Sequence, residues 1–191
     1  MKKVALFASG SGSNVQNISE YFATNPHVKI NLILSNNPNA FVLERAKKLG
    51  IQTHVFTRDS FYNSHEIIKV LEKAQTDFIV LAGFLWLIPQ YLIQAYPNKI
   101  INIHPALLPK YGGKGMYGSK VHEAVINNKE KESGITIHYV NEQYDEGSII
   151  FQARCMVKPD DSPESVAKRI HELEYEYYPK IIEQLIMQLE K

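Results

Sequence analysis

Cysteine is nearly missing: Cys155 stands alone among 191 residues, which excludes a disulfide framework and a Cys-rich zinc site and fits a reducing compartment. Charge of one sign is missing as well. Lys and Arg number 21 against 20 Asp and Glu, a formal net charge of +1, so a strongly basic nucleic-acid face is not the theme and no nucleic-acid partner is expected. No apolar run is long enough to cross a bilayer, which takes about 20 residues; the longest, Phe78 to Pro89, falls well short, and no membrane partner is expected. Lys2-Lys3 followed by Val4–Ala8 imitates a secretory leader, but the apolar part stops at Ser9-Gly10. An h-region needs about 7–15 residues, so the segment reads as a first strand and the expected location is cytoplasmic. No Ser sits in a G-x-S-x-G elbow and no His-x-x-x-His pair stands on a helix, so neither a serine nucleophile nor a zinc site is indicated.

What is present is ordinary globular material, 45% hydrophobic and 21% charged, and the length fits one domain over 1–191. Apolar runs over Val4–Ala8, Lys29–Leu34, Gln52–Phe56, Asp77–Ala82 and Lys99–Ile103 alternate with helical stretches over Asn14–Ala23, Ala40–Leu49, Ser60–Ala74 and Pro89–Ala95. That alternation predicts an α/β fold, an open, mostly parallel twisted sheet with helices on both faces. Pro105 to Lys120 is Gly-rich and aperiodic, a long loop of the kind that is functional or mobile. A helix over Val121–Asn127 follows. Gly134–Val140 and Ser148–Val157 alternate and predict an appended antiparallel strand pair. Ser162-Pro163-Glu164 reads as a helix start, and Pro179 is expected to break or kink that helix.

Three places carry chemistry. Ser9-Gly10-Ser11-Gly12-Ser13-Asn14 joins the first strand to a helix, where free N–H groups and the helix dipole welcome a phosphate. The third glycine of a dinucleotide fingerprint would fall at Val15, and no acidic residue ends the second strand, so a monophosphate fits better than NAD. The plain alternative is a tight turn with a Ser or Asn cap. Gly112 to Lys120 has the order Gly-Ser-Lys rather than Gly-Lys-Ser and reads as a mobile loop, not a P-loop. Asn102 and His104 lie two apart at a strand's carboxyl end, hence on one face and where open α/β sheets bind ligands. An amide donor and an imidazole serve acyl transfer, stabilising an oxyanion and moving a proton; the alternative is a buried structural His. His138 faces either the site or the core. Asp145 and Glu146 sit in a turn, where a solvated carboxylate is the plain alternative. Cys155 reads as a core thiol, and His27, His54, His65 and His122 as surface or helix residues.

These residues carry a resemblance. Asn102-Ile103-His104-Pro105-Ala106-Leu107-Leu108-Pro109 resembles the signature of the 10-formyltetrahydrofolate-dependent formyltransferases, Phe78 to Leu85 the strand before it, and Asp145-Glu146-Gly147-Ser148-Ile149-Ile150 that family's D-x-G-x-I segment. Gly10 to Asn14 is similar to the phosphate loop of the branch acting on phosphoribosylglycinamide. The resemblance spans nearly the whole chain, with the motifs in order. It implies a Rossmann-like formyltransferase fold and transfer of the formyl group of 10-formyltetrahydrofolate to the amine of 5'-phosphoribosylglycinamide, in purine (IMP) biosynthesis. It implies a catalytic set of Asn102, His104 and Asp145. Gly12, Ser13 and Asn14, with His171, Glu172, Leu173 and Glu174, would hold the ribonucleotide. Leu85, Trp86, Leu87 and Ile88, with Asn102 and the stretch Asn141, Glu142, Gln143, Tyr144 and Asp145, would line the folate.

The expected chemistry is direct attack through a tetrahedral oxyanion stabilised by Asn102 and a protonated His104, whose pKa Asp145 would raise. The folate enters as co-substrate and no metal is implied. The assembly is expected to be a monomer or homodimer. Trp86 stands where the family usually carries arginine, and Arg58 is the nearest match to a folate-contacting arginine of some relatives. A formyltetrahydrofolate hydrolase, usually with an extra amino-terminal domain, and a non-catalytic phosphate-binding module are the alternatives. A methionyl-tRNA formyltransferase would need a second domain and a basic footprint.

Overall fold

The computed structural model describes residues 1–188. In chain order the elements are β1 (Lys2–Phe7), α1 (Ser13–Tyr21), β2 (Val28–Ser35), α2 (Phe41–Lys48), β3 (Gln52–Val55), α3 (Arg58–Tyr62), α4 (Glu66–Lys73), β4 (Phe78–Leu81), α5 (Gln90–Ala95), β5 (Ile100–His104), α6 (Ser119–Asn127), β6 (Glu132–Tyr139), β7 (Ile149–Met156) and α7 (Pro163–Gln188). The strands form one sheet in the order β3-β2-β1-β4-β5-β6-β7. The first five are parallel, and β6 and β7 run antiparallel beside β5.

β1 shows why its sequence is apolar throughout. Val4 and Leu6 pack on one face of the sheet against Val15 and Ile18 of α1 and Ile170 and Ile182 of α7. Ala5 and Phe7 pack on the other against Phe61, Ile67 and Leu71 of α3 and α4 and Leu92 of α5. A fully buried side chain of this size contributes roughly 1.5–3 kcal/mol relative to exposure, so a parallel strand hydrophobic on both sides requires helices on both.

The order places a topological switch at β1. The chain winds outward through β2 and β3, then returns to β4 on β1's other side. The connections leaving the carboxyl ends of β1 and β4 therefore diverge and open a crevice, the general ligand position in such sheets.

Two expectations are corrected. The helix predicted over Ser60–Ala74 is two helices. Thr57 caps α3 in a reciprocal capping box with Ser60, and His65, at φ 54°, breaks the ladder before α4. The side chains of Asn63 and Ser64 bond back to Asp59 Oδ1 and the Ser60 carbonyl, so local polar groups compete with a continuing helix. Pro179 neither breaks nor interrupts α7, which runs unbroken over 26 residues. Proline lacks the N–H that would bond the carbonyl four residues back, but Asn17 Nδ2 of α1 donates to that Tyr175 carbonyl at 3.0 Å.

Candidate active site

The loop after β1 is held by α2. Val42 N–H donates to the Gly10 carbonyl at 3.1 Å, and Arg45 Nε to the Ser11 carbonyl at 2.8 Å. Gly12 occupies the N-cap position of α1 at φ 73°, and no side chain caps the helix. A Cβ at Gly12 would lie 2.4 Å from Val42 Cγ2, so close packing and a left-handed backbone both demand glycine. The Ser or Asn cap expected of a plain turn is not formed, which leaves the first N–H groups of α1 without a side-chain acceptor.

The loop after β4 is tied to the first, because Leu85 N–H donates to Ser9 Oγ at 3.0 Å. Its Trp86 packs edge-on to Phe56 and tilted against Phe61 and Tyr62, with centroids about 6 Å apart. Arg58 lies over the Trp86 and Tyr62 rings, 5.6 and 5.1 Å from their centroids. Aromatic packing, with the Arg58 cation over two of the rings, anchors this loop.

Asn102 and His104 come from the end of β5. The corner that follows is pinned by Thr136 of β6. Thr136 Oγ1 donates to the Ala106 carbonyl at 2.7 Å and accepts from Leu108 N–H at 3.0 Å, while Gln152 Nε2 donates to both Leu108 O and Thr136 Oγ1. His104 is 3% exposed. Its Nδ1 is 3.4 Å from Asp145 Oδ2, and its Nε2 is 2.7 Å from the Tyr111 carbonyl. Asp145 itself has φ 58° and accepts from Gly113 N–H at 2.9 Å. His138 pairs with Asn102 across the β5–β6 ladder. Its Nδ1 lies 2.8 Å from the Tyr139 carbonyl and its Nε2 3.2 Å from Asn102 Nδ2. The same Nε2 lies 3.6 Å from Asp145 Oδ1, so the ring is wedged between the Asn102 amide and the carboxylate. This orients the Asn102 side chain.

The electrostatics depart from the expected raised His104. Burial lowers the His104 pKa and outweighs the opposing pull of the Asp145 charge and the Tyr111 carbonyl. Burial alone would raise Asp145, but the nearby His138 and His104 and the Gly113 N–H together bring it below the usual range. Burial thus works toward an uncharged His104, while its surroundings hold Asp145 toward the carboxylate.

At the other end stands Glu174 of α7, 5% exposed. Its Oε2 accepts from Asn14 Nδ2 at 2.9 Å and lies 2.9 Å from His171 Nδ1. That hydrogen bond raises the His171 pKa against the effect of partial burial.

One cavity of about 720 Å³ joins these groups, walled by the β1 loop, the β4 loop, the end of β5, the 113–119 segment and the first turns of α7. Of the expected residues, Gly12, Ser13, Asn14, Leu85 to Ile88, Asn102, His104, His138, Gln143 to Asp145, His171 and Glu174 lie in its wall. The structure does not bring Asn141, Glu142, Glu172, Leu173 or Arg58 into it. Helix phase explains two of these: Leu173 turns to the core and Glu172 to solvent, because only residues three or four apart share a face. Arg58 lies over the Trp86 ring, outside the cavity wall.

His122, read as a surface or helix residue, does lie on α6, but it is buried in the cavity wall rather than at the surface. Its neighbours Val121 and Val125 are buried on α6, and that apolar stripe was the available signal. Tyr111 and Gly113 were also missed; they bond through backbone atoms, which carry no sequence signature.

Comparison with known proteins returns one family, described as formyl transferase, matching residues 2–182. The chain is 42% identical over 187 residues to an Arabidopsis thaliana protein named phosphoribosylglycinamide formyltransferase, chloroplastic, covering 95% of this chain and 64% of that one. It is 39% identical over 191 residues to the Bacillus subtilis protein of that name, covering 97% and 95%. The chain spans less than two thirds of the plant relatives it matches. A crystal structure of phosphoribosylglycinamide formyltransferase from Anaplasma phagocytophilum superposes with a TM-score of 0.88 at 34% identity, over 98% of this chain and 88% of that one.

Proposed function

The chain belongs to the formyl transferase family, and from that premise we propose that it moves the formyl group of 10-formyltetrahydrofolate to the amine of phosphoribosylglycinamide, working as one formyltransferase domain in purine biosynthesis. One observation carries the reading. An uncapped helix start suited to a phosphate and the Asn102–His104–Asp145 cluster share a single cavity with an apolar wall at Leu85 to Ile88. Phosphate, reacting centre and flat ring each have a matching surface.

The residues divide the work. The ribonucleotide phosphate lies on the Gly12–Asn14 loop, and Glu174, fixed by Asn14 and His171, accepts from ribose hydroxyls. The amine attacks the formyl carbon, a C–N bond forms, and the carbonyl oxygen becomes an oxyanion. Asn102 Nδ2 donates to it, held in place by His138; a donor of this kind is worth roughly 3 kcal/mol of transition-state stabilisation. His104 is the second donor, once substrate displaces the Tyr111 carbonyl from Nε2. Asp145 orients His104 and favours its charged form as negative charge develops. The proton lost by the attacking nitrogen goes to N10 of the folate, whose bond to the formyl carbon breaks.

The test follows loss of 10-formyltetrahydrofolate with and without the ribonucleotide, for wild type and His104→Ala. Turnover that requires the ribonucleotide and falls by about a thousandfold in the variant is the expected result. Turnover without ribonucleotide would identify a formyltetrahydrofolate hydrolase instead. A folded protein that binds both ligands and turns over neither would be a binding module.

A further inference from the structure

Among the described residues, His122 is the one buried ionisable group in the cavity wall that the scheme above does not use. It stands in the first turn of α6 and is 4% exposed. Val121 and Val125 bury the same helix, so the imidazole is held rather than free to swing out. Among the described residues its Nδ1 has no hydrogen-bond partner, and it is sealed from solvent. Burying an unpaired polar atom is unfavourable, so a ring kept in this wall calls for a use of its other nitrogen.

A neutral imidazole carries one N–H. Placed on Nδ1 it would be a donor with nothing to receive it, so it belongs on Nε2, the nitrogen left for the cavity. Burial, and then the neighbouring His171, keep the ring uncharged. α6 packs against α7, and His104, His171 and Glu174 are within electrostatic reach of the ring. The ring thus shares one cavity wall with the reacting centre and with the carboxylate assigned to the ribose. Glu174 only accepts; His122 supplies the complementary donor.

We propose that His122 is a substrate-binding residue whose Nε2–H donates to a ribose hydroxyl oxygen of the ribonucleotide, while that hydroxyl donates to Glu174. A hydroxyl is the group that satisfies both partners at once, which an amide oxygen or a phosphate cannot do. This rests on the formyl-transfer reading.

The experiment compares His122→Met and His122→Gln with wild type, measuring kcat, both KM values and the urea stability of the ligand-free protein. Met keeps the bulk and removes the donor; the Gln side-chain amide reaches about as far as imidazole Nε2. His122→Met raises the ribonucleotide KM about tenfold, the loss of one neutral hydrogen bond. It leaves the folate KM within about twofold and stability equal or higher, since an orphaned nitrogen is gone. His122→Gln recovers most of the ribonucleotide KM. An unchanged KM in His122→Met, a rise in both KM values with lost stability, or a Gln variant no better than Met would overturn the assignment. Wild type that turns over without needing ribonucleotide overturns the formyl-transfer reading first, and this assignment with it.

Discussion

His104 is pulled in two directions, by burial toward the neutral form and by Asp145 toward the charged one, and burial prevails. The sign of the consequence follows. Its folded pKa lies below the unfolded value of about 6.5, so above that pH both states are neutral and nothing is gained or lost. As pH falls through about 6.5 the unfolded chain takes the proton first, and stability declines. His171 works oppositely: its raised pKa adds stability below about 6.5 that is lost as pH rises. Urea unfolding between about pH 7.5 and 5.5 is expected to show a shallower pH slope in His104→Asn than in wild type, with His171 and His122 common to both. A slope unchanged by the substitution would mean that folding leaves the His104 pKa where the unfolded chain has it, and a steeper decline in the variant that the folded protein holds His104 charged. Residue identity at this cluster was legible in sequence because Asn102 and His104 share a strand face. Tyr111 and Gly113 were not, since a backbone carbonyl and amide are donated by any residue the loop happens to place there.

At the scale of elements, α7 shows how a rule of local structure yields to a neighbour. Pro179 deprives the Tyr175 carbonyl of its helical partner, and Asn17 of α1 replaces it. The two positions are therefore coupled. Asn17→Ala is expected to cost about 1 kcal/mol in wild type and distinctly less in a Pro179→Ala background, where the new N–H satisfies Tyr175. Additive costs in a double-mutant cycle by chemical denaturation would show the Asn17 bond to be irrelevant. A break or kink is what sequence alone predicts there, because the compensating side chain lies 158 positions from Tyr175. The merged helix over Ser60–Ala74 failed for the opposite reason, a purely local one: Thr57, Asn63 and Ser64 satisfy backbone and side-chain groups within one turn. The strands were read closely because burial on both faces leaves an unbroken apolar run, a signal that needs no tertiary knowledge.

The whole molecule gathers its chemistry at one end of the sheet. The order of strands, with β1 between β2 and β4, brings the Gly12 loop, the Leu85–Ile88 loop and the end of β5 to one crevice, although they are spread over some ninety positions of sequence. Ligand binding there should be read globally as stability, since a ligand at about 100 times its Kd adds about 2.7 kcal/mol. Saturating ribonucleotide is expected to raise the melting temperature of wild type, and Gly12→Ala to abolish most of that rise, because a Cβ 2.4 Å from Val42 Cγ2 must push the loop off its position. A variant that melts lower yet keeps the full ligand shift would place the phosphate elsewhere. The tryptophan that anchors the β4 loop has a consequence of another kind. Trp86 is the chain's single tryptophan, and it lines the cavity on the side of the apolar wall. Emission excited at the red edge of protein absorbance therefore comes from one indole at one subsite. The molecule carries its own optical probe, able to time the arrival and departure of one of two ligands without a label.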